Sequence, residues 1–426
     1  MALVYCYVSL LTFGMLQRPF GNPFGFGLSS IVSIAIVVLL LRETLQAIRT
    51  RRMLQMWFLL TAYVFVITLA THPDLALSDP EYMRIPGLLA GCLLCAATAS
   101  LSWNAASLRN VGIFMVAGLA IAGMLAVVDD AGIADLPLMN ISLTNDPPIR
   151  EPVAQFGHRS VMSLYLGVML PFLFVLEDQD PSRWLRGAVM AVGVCFLYFL
   201  IYSRNRSGFG AIAIAMATYY AFNLRHGDRW LHPRVPGFAL AMVLAFVAVF
   251  AFRPAQGATF LVLWANSPFF ADVQLFGTSI RDLAGISVHG VTLADLADTK
   301  MNPVQSSNLS DSDMLRMKIL AETFVGLREY VLGRGFMTNT HVHFVIDIIH
   351  AAGAVGILWL VAFAYYLADM IGSIVRSGMD RTSLWLLLTP LIAWFWVGLM
   401  FNAINLGLGW VFFGMLLSLH EAVRTR

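Results

Sequence analysis

Long uncharged runs alternate with short polar clusters along the whole chain. Residues 19–41, 85–108, 110–128, 160–176, 187–203, 235–252 and 382–420 contain no Asp, Glu, Lys or Arg. Runs of this kind, close to 20 residues, match the thickness of a bilayer core crossed as a helix. The apolar blocks predict spans near 2–16, 25–41, 53–71, 86–102, 111–128, 160–177, 187–203, 208–223, 238–252, 350–374, 384–402 and 406–420. The expected fold class is therefore all-α: a polytopic integral membrane protein with about twelve transmembrane helices. Nine spans fill residues 1–252, a large loop fills 253–349, and three more spans fill 350–426.

Composition agrees with that pattern and removes other classes. Hydrophobic residues make up 59% of the 426 positions and charged residues 12%, about half the charge of a soluble globular chain. A net charge of +2 without a dense basic run leaves no footprint for nucleic acid. Cys6, Cys92, Cys95 and Cys195 all lie in apolar stretches, where a thiol acts as a small hydrophobe. The start of the chain has neither a basic first segment nor a small-residue cleavage site, so residues 2–16 are expected to be a first span and not a removable signal.

The arginines orient the spans. Alternate connections carry Arg42, Arg49, Arg51, Arg52, Arg109, Arg183, Arg186, Arg225, Arg229, Arg234, Arg376 and Arg381, and the short connections between them carry few. By the positive-inside rule the rich set is cytoplasmic, which places both termini inside. Two outer connections are long, 129–158 and 253–349, well beyond ordinary loop length. Residues 254–271 are uncharged, but Pro254, Gly257, Asn266 and Pro268 make them a poor span, and the outer membrane surface is their expected place. Within the second loop, residues 313–332 predict an amphipathic helix. Asp311 and Asp313 offer caps, Gly333 a stop, and Met317, Leu320, Phe324, Leu327 and Val331 form one apolar stripe.

Charges that abut spans on the outer side are costly there and suggest function. They gather at His158 and Arg159, at Arg204 and Arg206 in a tight hairpin, at Arg316 beside the apolar stripe, and at His341 and His343 before the tenth span. Arginine makes charge-assisted bonds to phosphate oxygens, and histidine can take a proton near neutral pH. A site that joins a membrane-bound diphosphate donor to a hydroxyl acceptor needs both. The plainer alternatives are headgroup snorkelling for Arg204 and Arg206 and interfacial anchoring for His341 and His343. Asp347 alone cannot complete a metal shell with those histidines, so no metal and no cofactor are expected. No internal repeat supports an inverted-repeat transporter.

At these positions the chain resembles the O-antigen ligase and O-polysaccharide polymerase superfamily of bacterial inner membranes. Phe156-Gly157-His158-Arg159-Ser160, followed by an apolar run with Tyr165 and Leu166, is similar to that family's start of a central span, with Ser160 where an Asn is usual. Ser203 to Ala211 resembles its arginine-containing turn, and both Arg204 and Arg206 fit the arginine. Arg316 ahead of Leu332-Gly333-Arg334-Gly335 is similar to its second arginine before a Leu-Gly-x-Gly. His341-Val342-His343-Phe344-Val345, followed by Gly353 and Gly356, resembles its histidine element, in which His341 and His343 are alternatives.

The resemblance implies a metal-independent glycosyltransferase of lipopolysaccharide biosynthesis. It would take a glycan from undecaprenyl diphosphate on the periplasmic face of the inner membrane. A ligase passes the glycan to lipid A-core; a polymerase passes it to another carrier-linked glycan. Arg206 or Arg204, with Arg316, would bind the diphosphate, His341 or His343 would activate the acceptor, and His158 and Arg159 would line the same cavity. A lipid-linked sugar transporter or flippase is the reading from another class.

Overall fold

The computed structural model describes residues 1–13, 28–71, 80–136, 140–142, 149–150, 153–154, 156, 159–180, 182–225, 237–266, 331–335, 344–377, 381–400 and 407–424. Over this range the fold is helical apart from one antiparallel pair, β1 (Ile141–Ser142) and β2 (Ile149–Arg150). The helices are α1 (Ala2–Leu10), α2 (Leu28–Leu39), α3 (Leu41–Thr50), α4 (Arg52–Thr71), α5 (Pro80–Ala99), α6 (Ala105–Asp130) and α7 (Arg159–Gln179). They continue as α8 (Arg183–Tyr202), α9 (Arg206–Arg225), α10 (Gly237–Phe252), α11 (Pro254–Asn266), α12 (Phe344–Arg376), α13 (Arg381–Met400) and α14 (Gly407–Arg424). Each apolar block of the sequence falls on one of them.

Five of the described helices are long and apolar enough to cross a membrane, or six if α2 and α3, bent by 76° at Leu40, count as one span. Their surfaces fit that setting. Ile31, Ile34 and Val38 on α2, Val243 and Val247 on α10, and Leu358, Val361 and Tyr365 on α12 form exposed apolar stripes at helical spacing. Water would penalise such stripes, whereas lipid tails match them. This is a membrane protein built as a helical bundle.

Helix boundaries follow local chemistry. α6 starts at Ala105, a turn and a half before the expected span. The Asn104 side chain accepts from the Ser107 amide at 2.9 Å, and Ser107 accepts in return from the Asn104 amide, a reciprocal cap that satisfies two orphan donors. Residues 42–50, expected to be a loop, form α3.

The segment after α10 is also a helix, with Pro254 in the first position, where its missing N–H costs nothing. The helix doubles back along α10, because the Phe260 ring lies 6.0 Å from Phe246 and 5.6 Å from Phe209. Gly257 permits the approach, since a Cβ there would stand 3.1 Å from the Phe250 ring.

Close packing, not hydrophobicity, holds helices together inside lipid. α7 is the most enclosed of those five helices, surrounded by α6, α8, α9 and α13. Trp57, Trp359, Trp394, Trp410 and Phe363 interlock four helices, with Trp57 and Trp359 centroids 4.3 Å apart and Trp57 and Trp410 4.7 Å apart. Gly91 makes room for this: a Cβ there would lie 2.3 Å from Trp410 Nε1. Trp410 is wedged between Trp57 and Trp394 and cannot step aside. Gly91→Ala is expected to destabilise the bundle by about 1–3 kcal/mol through overpacking, read as a lower unfolding temperature in detergent.

Ion pairs pin one end of the bundle. Arg109 at the start of α6 binds the buried Asp180 after α7, and Arg51 pairs with Glu421 of α14 at 2.9 Å. Asp180 also accepts from the Ser182 amide at 2.7 Å, and its carbonyl accepts from Arg186 Nε at 2.9 Å. These arginines belong to the set expected on the cytoplasmic side.

Candidate functional site

The opposite ends of α6, α8 and α10 meet the starts of α7 and α9, and the site is built there. The turn from α8 to α9 is short because two caps abut. The Asn205 amide donates to Leu200 O at 2.8 Å and the Arg204 amide to Ile201 O at 3.0 Å, the pairing of a Schellman stop. Asn205 at once caps α9, its Oδ1 receiving the Gly208 amide at 3.4 Å. The same Oδ1 accepts from Ser163 Oγ of α7. Gly208 lets the helices close on one another, since its Cβ would stand 3.0 Å from Ser163 Cα.

Arg204 occupies the left-handed stop position, with φ at +57°. Glycine is the usual residue there, and an L side chain costs energy. The Arg204 side chain is exposed and forms no ion pair with the described residues, unlike Arg51 and Arg109 at the other end. A guanidinium with no ion pair among the described residues, held at a strained position, has the chemistry to meet an anionic ligand.

Of the other expected site residues, Arg206 begins α9 and Arg159 begins α7, so both backbones stand at this end. Their side chains, together with His158, Arg316, His341 and His343, lie outside the described residues, as does the expected amphipathic helix up to residue 330.

Charge and hydrogen-bond patterns in the sequence did not single out four further residues gathered at this end. Arg253, between α10 and α11, lies over the Tyr202 ring at 5.3 Å and reaches Asp130 at 3.5 Å. Tyr198 donates to Asp130 Oδ2 at 3.4 Å. Partial burial pulls Arg253 toward neutrality, but Tyr202, Tyr198 and Asp130 outweigh it and raise its pKa above the ordinary value. It is a cation stacked on Tyr202, and Tyr202 lies two residues before Arg204. Three elements far apart in sequence supply this group, and each residue lies at or near the end of an apolar block without a motif of its own. Next to it Asn140 ties the following loop to α6, donating to Ala126 O at 3.0 Å and Asp129 Oδ2 at 2.9 Å and accepting from the Ala154 amide at 3.0 Å.

A second construction involves the glycines of the family resemblance. α12 is broken at Gly353, where φ is +57° and ψ −136°. The expected span began at 350; instead the helix starts at Phe344 and folds sharply. A Cβ on Gly356 would come 2.5 Å from Ile348 O, eight residues earlier, which a straight helix would hold about 12 Å away. Residues 331–335 enter the gap. The Arg334 amide donates to His350 O at 3.0 Å, the Gly335 amide to Ala351 O at 3.1 Å, and the Ala354 amide to Val331 O at 2.8 Å. Broken backbone at membrane depth is tolerated only when such partners exist.

Gly333 and Gly335 have φ of +95° and +74°; the helix expected to stop at Gly333 lies outside the described residues up to residue 330. A Cβ on Gly353 would touch Gly333 N at 2.5 Å, so two glycine elements read separately in the sequence form one interlock. Tyr63 and Thr71 of α4 hold it from the side, donating to Leu332 O and Arg334 O, each at 2.8 Å. The buried Asp347 lies on the first segment of α12. Among the described residues no three His, Cys, Asp or Glu side chains gather as a metal site.

Compared with protein-family models and with curated proteins, the chain matches none.

Proposed function

We propose that the protein is a metal-independent glycosyltransferase of the O-antigen ligase kind, working at the outer face of a bacterial inner membrane. In this reading the chain has twelve spans, both termini are cytoplasmic, and residues 253–349 form a periplasmic loop. The acceptor hydroxyl oxygen attacks the anomeric carbon of the glycan, and the bond to the carrier diphosphate breaks. Undecaprenyl diphosphate leaves with the bonding electrons. His341 or His343 takes the hydroxyl proton, and Arg204 or Arg206, with Arg316, neutralises the leaving diphosphate.

The observation that carries the reading is Arg204, an exposed guanidinium at a position whose backbone favours glycine. The interlock at Gly353 supports it by holding the first segment of α12 at His350 and Ala351, the segment that follows His341 and His343 in sequence. Lipid A-core is the acceptor we assign; a second carrier-linked glycan is the alternative, making the protein a polymerase. The break in α12 favours one reading of another class, a lipid-linked sugar transporter, since discontinuous helices often frame transport sites.

Purified protein in lipid, supplied with undecaprenyl-diphosphate glycan and each acceptor in turn, separates these outcomes. Transfer to lipid A-core with release of undecaprenyl diphosphate is expected. Carrier translocation in vesicles with no transfer to either acceptor would overturn the enzyme reading. Transfer that survives alanine at both His341 and His343 would remove the general base.

A further inference from the structure

α3 has no part in the reading above, yet its surface is sharply divided. At about 100° per residue, the buried Thr44 and Ala47 define the side packed toward α5. Leu41 and Leu45 lie roughly 60° and 100° round from Thr44, and they are 50% and 46% exposed. Arg49 and Arg42 come next, at roughly 140° and 160°, both exposed, whereas Glu43 is exposed on the far flank. Protein, apolar surface and cations therefore follow one another around the helix in that order.

The apolar sector continues the exposed Ile31, Ile34, Val38 and Leu39 of α2 across the 76° bend. A stripe facing lipid tails that turns and then borders two arginines has reached the headgroup layer. The neighbouring Arg51 is taken by Glu421 at 2.9 Å, so Arg42 and Arg49 are the cations this helix offers. They stand two turns apart, each beside an exposed leucine.

We propose that α3 is an interfacial helix that docks anionic phospholipid headgroups, Arg42 and Arg49 each presenting a guanidinium to a lipid phosphate while Leu41 and Leu45 rest on the acyl chains. The occupant is a lipid and not a free anion, because the cations border a surface that only acyl chains cover favourably. This proposal does not depend on the glycosyltransferase reading.

The test uses the full chain exchanged into micelles with equal phosphatidylglycerol and phosphatidylcholine, and native mass spectrometry counts the lipids that survive gel filtration. The wild type is expected to retain phosphatidylglycerol over phosphatidylcholine by about tenfold, as two arginines at an anionic surface allow. R42Q/R49Q should retain the two lipids equally, and E43Q should keep the wild-type preference. R42K/R49K should keep most of it, since charge carries the contact. An unchanged preference in R42Q/R49Q, or displacement of the lipid by excess inorganic phosphate, overturns the proposal. Gel filtration in phosphatidylcholine alone checks folding; if the double variant aggregates, R42Q and R49Q singly decide it, each expected to lose part of the preference.

Discussion

Gly353→Ala is expected to disable the protein more severely than any other single methyl group added to the described helices. The backbone there sits at φ +57° and ψ −136°, a region that costs a non-glycine residue about 1–3 kcal/mol. The new Cβ would also lie 2.2 Å from Val331 O and 2.5 Å from Gly333 N. Both are main-chain atoms, Val331 O being held by the Ala354 amide and Gly333 followed by the bonded Arg334 amide, so no rotamer change relieves the contact. The segment 331–335 would be expelled, leaving the carbonyls of His350 and Ala351 without the amides of Arg334 and Gly335, each at a cost of about 1–3 kcal/mol. Loss of monodisperse protein, or a large fall in unfolding temperature, is the expected readout. Gly187→Ala is the control, because a Cβ there meets nothing within 4 Å. Equal melting of G353A and wild type would show that the interlock does not hold α12.

The second large effect separates stability from chemistry at one residue. Arg204→Gly removes an L side chain from the left-handed position and should stabilise the α8–α9 turn by about 1 kcal/mol. It also removes the guanidinium. If Arg204 neutralises a leaving diphosphate, the transfer rate should fall by roughly 10²- to 10³-fold, the usual loss on deleting one group that stabilises transition-state charge. Arg204→Ala should show the same loss of rate without the gain in stability, since alanine is no freer at φ +57°. A glycine variant that melts higher and transfers normally would shift the role to Arg206.

The helices were largely legible in the sequence, because an uncharged run of span length has few other solutions and each such run carries a helix within its described residues. What escaped reading depends on contacts between distant segments. Nothing local at Leu40 announces a 76° bend, and α3 reads as a loop because charge dominates its sequence. The return of α11 along α10 rests on Phe260 finding Phe246 and Phe209, a match that periodicity does not encode. At the candidate site the sequence marked Arg204 by its charge, and only the backbone revealed its unusual conformation. Arg253, Asp130, Tyr198 and Tyr202 give no signal, because each looks ordinary until α6, α8 and the junction of α10 with α11 bring them together. Gly333, Gly335 and Gly353 stand out as a pattern in the sequence, but the contact of Gly353 with Gly333 is a property of the fold.

The interlock also has an evolutionary consequence. Residues 331–335 are stitched by main-chain bonds to α12 and by Tyr63 and Thr71 to α4, so the chain is anchored on both sides of the stretch between Asn266 and Val331. Changes in length before Val331 must leave residues 331–335 in register with His350, Ala351 and Ala354, or these main-chain bonds are lost. A lineage is constrained at Gly333, Gly335 and Gly353 together, because a Cβ on any of them would stand within 2.6 Å of the main chain of a facing segment.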